Sequence, residues 1–60
     1  MIRYKVVIGD LMGCNTTEWY NVEGYARMRA KYWSQVMPTT LQKVEFSYGA
    51  DLPKVETLVI

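Results

Sequence analysis

The sequence predicts a small α+β domain with the order β-β-α-β, an optional fourth strand, and one helix packed on one face of a small antiparallel sheet. Residues 25–37 are the only segment with sustained helical periodicity. The segments on either side, IRYKVVI and LQKVEFSY, alternate apolar with polar side chains as strands do. A chain of 60 residues holds a single domain, residues 1–60, with a small hydrophobic core.

The first strand is predicted at residues 2–8, where Arg3 and Lys5 alternate with apolar side chains. Residues 9–15 contain two glycines, an aspartate and an asparagine, which are typical turn residues. They predict a hairpin whose second strand covers residues 16–22.

The alternation of the second strand indicates which side chains face the helix. We expect Tyr20 and Val22 to face the helix and Trp19 to face away from it. Gly24 allows the turn into the helix, either as its N-cap or within a first turn that is capped by Asn21.

The helix is predicted to end near Val36 or Met37, because Pro38 has no N–H group and restricts the residue before it. Its apolar side chains form two adjacent stripes, which are Tyr25, Met28, Tyr32 and Val36, and Ala26, Ala30, Trp33 and Met37. We predict that the first stripe packs on the sheet, with Tyr32 in the core, and that Trp33 in the second stripe contacts a partner. In the reverse orientation, Tyr25, Met28 and Tyr32 would form the interface.

After the helix, Val44, Phe46 and Tyr48 alternate with polar side chains and predict a third strand whose inner face completes the core. Residues 49–53 predict a turn. Residues 55–60 predict either a short fourth strand or a frayed terminus.

The residue inventory argues against catalysis. The chain has no histidine, its one cysteine is Cys14, and its carboxylates are scattered singly. We therefore expect a protein that is not an enzyme and that holds no metal or cofactor. The net charge of +1 supplies no general field for nucleic acid or an acidic membrane, and no secretory signal is recognised, so we expect a cytoplasmic protein.

The residues predicted to bind a partner are Trp33, Trp19, Arg29, Arg27 and Met37. Tryptophan and arginine are enriched among the hot spots of protein interfaces, and both tryptophans lie off the positions assigned to the core. Burial in the core is an equal alternative for each tryptophan. A nucleic-acid patch of Arg27, Arg29 and Lys31 is a further alternative, but charges at every second position are spread around a helix.

Four short pieces of the sequence, Met1, Lys5-Val6-Val7, Val44-Glu45-Phe46 and Lys54-Val55-Glu56, resemble a known family in a similar strand-strand-helix-strand layout. This family is the Dmd (discriminator of mRNA decay) antitoxins of T-even-like phages. The resemblance implies a phage antitoxin that binds a host endoribonuclease toxin of the RnlA/LsoA type and blocks its active cleft. It implies no individual binding residues, because the helix and the last four residues depart from the family pattern.

Two other functions remain open from the sequence. The first is a small RNA- or DNA-binding module, although the low net charge argues against direct nucleic-acid binding. The second is a structural protein that associates with itself through an exposed strand edge or the helix.

Overall fold

A computed structural model describes residues 1–9, 15–49 and 51–60. Within these ranges the chain forms one helix and four strands, which are β1 (Ile2–Ile8), β2 (Thr16–Tyr20), α1 (Glu23–Ser34), β3 (Thr39–Glu45) and β4 (Lys54–Leu58). The strands form one sheet in the spatial order β2-β1-β3-β4, and each neighbouring pair is antiparallel. The predicted α+β fold is confirmed, and the optional fourth strand forms along β3. Cys14 and most of the predicted first turn lie outside the described residues.

The two central strands, β1 and β3, are paired along their whole length. Their ladder continues one residue further, because the amino group of Met1 donates to the Phe46 carbonyl at 2.9 Å and the Phe46 N–H donates to the Met1 carbonyl at 2.7 Å. Phe46 is therefore in register with Met1 and shares a face of the sheet with it.

The register divides the sheet into two faces, because directly opposed residues of antiparallel strands project to the same side. The helix-side face carries Tyr4, Val6 and Ile8 with their partners Glu18, Tyr20, Leu41 and Lys43. The opposite face, called the open face below, carries Arg3, Lys5, Val7, Trp19, Gln42, Val44 and Val55. The predictions that Tyr20 faces the helix and that Trp19 faces away are confirmed.

The core lies between α1 and the central strands. Its buried members are Tyr4, Val6, Ile8, Ala26, Ala30 and Leu41, with Tyr20, Trp33 and Leu58 packed against them. Both alanines are completely buried. Close packing brings the helix backbone near the sheet at these positions, because each intervening side chain is only a methyl group.

The helix packs on the sheet through the second stripe, which contains Trp33 and was expected to contact a partner. Ala26 and Ala30 are buried and Trp33 packs at the edge of the core. The other stripe, Tyr25, Met28, Tyr32 and Val36, is between 51% and 63% exposed. The prediction of Tyr32 in the core and Trp33 at the surface is therefore wrong, because the helix approaches the sheet through Ala26 and Ala30 and leaves no room there for its own row of larger side chains.

The helix begins at Glu23, so Gly24 lies within its first turn, as one of the two predicted alternatives has it, but the predicted cap is wrong. Its N-cap is Val22, which has extended backbone dihedrals and makes no side-chain capping hydrogen bond. Neither Gly24 nor Asn21 is the cap, and Val22 is 64% exposed instead of facing the helix. The second strand ends at Tyr20, so the alternation that was expected to bring Val22 inward does not reach it.

The helix ends at Ser34, before the predicted Val36 or Met37. The N–H of Gln35 donates to the Tyr32 carbonyl at 3.3 Å and the N–H of Val36 donates to the Trp33 carbonyl at 2.9 Å. These bonds span three residues, so the chain tightens into a turn before it reaches the proline.

The third strand faces the opposite way from the prediction. Val44 is buried on the open face, between its partners Arg3 and Val55, and Phe46 lies on the same face. Tyr48 is fully exposed in the turn that follows β3. None of the three residues expected to complete the helix-side core does so.

Leu41 is the residue of β3 that enters the core. Lys43 and Glu45 share its face but lie beyond the helix, which contacts β1, β2 and β3 among the described elements. Because they are directly opposite Glu56 and Lys54 of β4, each charge faces one of opposite sign. Water access and opposed charges explain why this part of the helix-side face is polar.

Trp33→Ala and Tyr32→Ala should have different effects on stability. We expect Trp33→Ala to lower the free energy of unfolding by about 2–4 kcal/mol. This loss is smaller than that for truncating a fully buried ring, because part of the indole is exposed. Tyr32→Ala should cost about 1 kcal/mol or less, because its ring is 55% exposed. Urea unfolding followed by circular dichroism measures both values. A larger loss for Tyr32→Ala would contradict the orientation of the helix.

The same substitution at two glycines should change stability in opposite directions. Gly24 lies in the first turn of α1, and a methyl group there would meet no atom within 4 Å. Gly24→Ala should stabilise the protein by about 0.5–1 kcal/mol, because alanine favours the helix and restricts the unfolded chain. Gly49 has φ of +83°, so Gly49→Ala should cost about 1–2 kcal/mol. Thermal unfolding of the two variants tests the contrast, and an equal effect would contradict it.

Candidate functional site

The exposed stripe of α1 forms an apolar row, defined here as the helix row: Tyr25, Met28, Tyr32 and Val36. Spacings of three and four residues place these side chains on one side of the helix. The ring of Tyr25 packs against that of Tyr20 with 5.0 Å between centroids, so the row lies on the side of the helix nearest β2. Four large exposed apolar side chains in one row exceed what the core of this fold requires, which is typical of an interaction surface.

Arg29 lies at the border between the helix row and the core. Its guanidinium carbon is 5.5 Å from the ring centroid of Tyr32 and 5.6 Å from that of Trp33. These two rings meet edge to face with 5.2 Å between centroids. Arg29 Nη2 also donates to Glu18 Oε2 on β2 at 3.3 Å. The rings and the carboxylate together restrict the arginine, which reduces the conformational entropy that it would lose on binding.

Glu18 accepts hydrogen bonds from two donors: the Tyr20 hydroxyl on the same strand donates to its Oε1 at 2.5 Å, and Arg29 donates to its Oε2 and so joins the strand to the helix. The Tyr20 hydrogen bond, with help from Arg29 and against partial desolvation, holds the pKa of Glu18 below its ordinary value. Burial, followed by the hydrogen bond to Glu18, raises the pKa of Tyr20. The hydrogen bond to Glu18 raises the pKa of Arg29. At neutral pH the cluster therefore holds a charged carboxylate, a neutral phenol and a charged guanidinium.

The five residues predicted to bind a partner do not form one site. Arg29 borders the helix row, and it contacts Trp33, which packs at the edge of the core. The indole Nε1 of Trp33 is buried without a hydrogen-bond partner among the described residues. Trp19 lies on the open face, on the far side of the sheet, and is 49% exposed. Met37 follows the end of the helix and is 39% exposed.

Arg27 lies on the other side of the helix and is held by two intramolecular contacts. Its Nη2 is 3.3 Å from Oε2 of Glu23, one turn earlier, and its Nη1 donates to the Val59 carbonyl at 2.5 Å. Arg27 therefore ties the helix to the segment after β4. Since Arg29 is also paired, the nucleic-acid patch that the sequence suggested on α1 loses two of its three cations to contacts within the fold.

The helix row is the surface that the first interpretation of the sequence placed in the core. The signal that identifies it is the pair Ala26 and Ala30, which share one side of the helix. Small residues at this spacing allow a close approach of the helix to the sheet, and this approach excludes the larger stripe from the same space. The reverse orientation, which the sequence left open, is the observed one.

The described residues were compared with the groups that metal binding would require. Within residues 1–9, 15–49 and 51–60, no three histidine, cysteine, aspartate or glutamate side chains could hold a metal ion. A depression of about 360 Å³ on the helix-side face beyond α1 is lined by alternating charges and one valine, which are Lys43, Glu45, Lys54, Val55 and Glu56.

Within the described part of the chain, α1 is too short and too polar to cross a membrane. Comparisons of the chain with protein-family models, with curated proteins and with solved structures find no match. We therefore infer the function from the exposed surfaces of the molecule.

Stability should fall in mild acid through Glu18. Because its pKa is lower in the folded than in the unfolded protein, the unfolded chain binds more protons between the two values. The stabilising contribution is fully present above the unfolded pKa of about 4.3 and is lost as pH falls through the folded pKa. Tyr20→Phe removes the main donor, so it should raise the pKa of Glu18 and flatten the acid side of the stability profile. Urea unfolding between about pH 3 and pH 6, with NMR titration of the Glu18 carboxyl, measures both effects.

The stability of the protein at alkaline pH tests the same cluster through Tyr20. Since the folded pKa of Tyr20 is raised, its contribution is present below the ordinary tyrosine pKa of about 10 and is lost as pH rises through the folded value. Glu18→Gln should lower the pKa of Tyr20, because it removes the carboxylate that accepts the hydrogen bond of the phenol. An unchanged acid profile in Tyr20→Phe would show that the cluster does not couple to stability.

Proposed function

We propose that this protein is a non-enzymatic phage antitoxin that binds a host endoribonuclease toxin of the RnlA/LsoA type in the cytoplasm and blocks its active cleft. The observation that supports binding is the helix row, in which four large apolar side chains on one side of α1 are more than half exposed. The short segments that resemble the Dmd antitoxins support the choice of partner.

Inhibition by occupancy depends on area and fit. A stable interface covers about 800 Å² on each partner. That is roughly one sixth of the 4580 Å² accessible surface of this chain, so one side of the helix with the neighbouring edge of β2 can supply it. Binding through such a surface needs no reactive group on this protein.

The helix row matches the mode in which an amphipathic helix enters an apolar groove, with anchors spaced three and four residues apart. Tyr32 lies in the middle of the row, and Arg29 beside it is held by Glu18. An aromatic and an arginine that are ordered before binding are the residue types that carry most of the affinity at interfaces. We expect the toxin to offer an apolar groove that accepts Tyr32 and Met28.

Tyr32→Ala should weaken toxin binding by about 2 kcal/mol or more, which is a roughly 30-fold rise in Kd, if Tyr32 is a central anchor. Tyr48→Ala is the matched control, because Tyr48 is fully exposed in a turn away from the helix. It should change the binding free energy by less than about 0.5 kcal/mol. Isothermal titration calorimetry with purified toxin, together with an RNA-cleavage assay, measures affinity and inhibition.

One result would reject this function, and another would reject the helix row as the surface that performs it. One is the absence of both binding and inhibition at micromolar protein, with the folded state verified by circular dichroism. The other is an equal loss of affinity in Tyr32→Ala and Tyr48→Ala, which would remove the helix row from the interface while leaving the partner in place.

A further inference from the structure

The two faces of the sheet differ in charge. The carboxylates on the described strands, Glu18, Glu45 and Glu56, all lie on the helix-side face. The open face carries Arg3 and Lys5 of β1, and the described strands place no carboxylate there. A net charge of +1 for the chain thus conceals one face that is locally positive.

Two aromatic side chains flank these cations. Trp19 of β2 lies directly opposite Lys5, and Phe46 extends β3 on the same face. Trp19 is 49% exposed and Phe46 is 41% exposed. Together with Arg3 they line a shallow depression of about 300 Å³. β1 separates β2 from β3, and Trp19 lies opposite Lys5 whereas Phe46 lies opposite Met1, so Arg3 is placed between the two rings.

The partners of the two cations leave their charges uncompensated. Arg3 donates to the amide oxygen of Asn21 and, at 3.3 Å, to the sulfur of Met1, and both of these groups are neutral. The Lys5 ammonium is 5.6 Å from the centroid of the Trp19 ring. The two ion pairs found among the described residues both use arginines of the helix instead. Arg3 and Lys5 are thus held in place on the open face while their positive charges remain available.

We propose that the open face binds single-stranded nucleic acid, with bases stacked on Trp19 and Phe46 and phosphates near Arg3 and Lys5. An antiparallel sheet with exposed aromatics on either side of a strand that carries cations is a suitable platform for unpaired bases, because every base has a π-face. Cations next to the rings satisfy the backbone phosphates. A duplex presents no free base faces to the rings, so the surface favours the single strand.

The size of the effect follows from the number of cations. Two neutralised phosphates on a single strand give a slope of about −1.4 for the logarithm of affinity against the logarithm of salt concentration. A site with so few charges should bind weakly, with a Kd of about 10⁻⁴ to 10⁻⁶ M. The proposal does not depend on toxin binding, because the helix row and the open face lie on opposite sides of the sheet.

The test is fluorescence anisotropy of a labelled oligo(dT) of about 12 nucleotides, titrated with the 60-residue chain at several salt concentrations. The expected result is saturable binding in the stated range with the stated salt slope. The same strand annealed to its complement should bind at least several-fold more weakly.

Matched variants locate the site. Lys5→Gln and Lys43→Gln each remove one positive charge from a central strand, but only Lys5 lies on the open face. Lys5→Gln should weaken binding and reduce the salt slope by about 0.7, whereas Lys43→Gln should change neither by a measurable amount. Trp19→Ala should weaken binding about 5- to 150-fold through lost stacking, and Tyr32→Ala on the helix row is its aromatic control. Circular dichroism verifies that each variant is folded. If Trp19→Ala does not fold, the comparison of Lys5→Gln with Lys43→Gln still tests the site.

Several outcomes would overturn the proposal. They are the absence of binding at about 1 mM protein, equal binding of single strand and duplex, and equal losses in Lys5→Gln and Lys43→Gln. A further outcome that would overturn it is dimerisation that depends on concentration in sedimentation and is abolished by Trp19→Ala. In that case the open face would be covered by a second copy of the chain. Inhibition of the toxin is measured in a separate assay. Failure of nucleic-acid binding can therefore be distinguished from failure of toxin inhibition.

Discussion

The close approach of α1 to the two central strands is the contact on which the rest of the structure depends. Ala26 and Ala30 are completely buried above β1 and β3, where they meet Val6 and Leu41, which are also completely buried. Between α1 and these strands the interior is filled by backbone, methyl groups and aliphatic side chains, together with the buried ring of Tyr4 on β1. The rings of the helix therefore lie at the edge of the core, as Trp33 does, or outside it, as Tyr32 does.

This constraint leaves a small core and a large apolar surface on the same molecule. A 60-residue domain has only a few kcal/mol of net stability, so each of the few buried side chains carries a substantial share of it. The large side chains that the core cannot hold accumulate on the helix row and, around Trp19 and Phe46, on the open face. A domain of this size thereby presents two different surfaces, and our functional proposals assign each one a different class of partner.

The two surfaces are chemically distinct because of strand register. Every second residue of a strand faces the same way, so a sequence with nearly balanced charge can place its strand carboxylates on one face and leave cations on the other. Arg29 is neutralised by Glu18 across the gap between helix and sheet, whereas Arg3 has a neutral partner in Asn21. The helix row is accordingly apolar with a fixed ion pair at its border, and the open face is aromatic and positive.

Periodicity in the sequence determined the element order, because a period near two or near 3.6 residues is a local property of the chain. The alternation around Tyr20 also gave the correct face for Trp19. Local pattern could not choose between two adjacent apolar stripes on α1, nor between the faces of β3, where Val44 and Phe46 were expected inside and Leu41 enters the core instead. Those choices were made by the tertiary structure, because the distance between helix and sheet and the pairing of β3 with β1 decide which side chains fit. The orientation of the helix and the facing of β3 therefore determine which residues lie on the helix row and which lie on the open face.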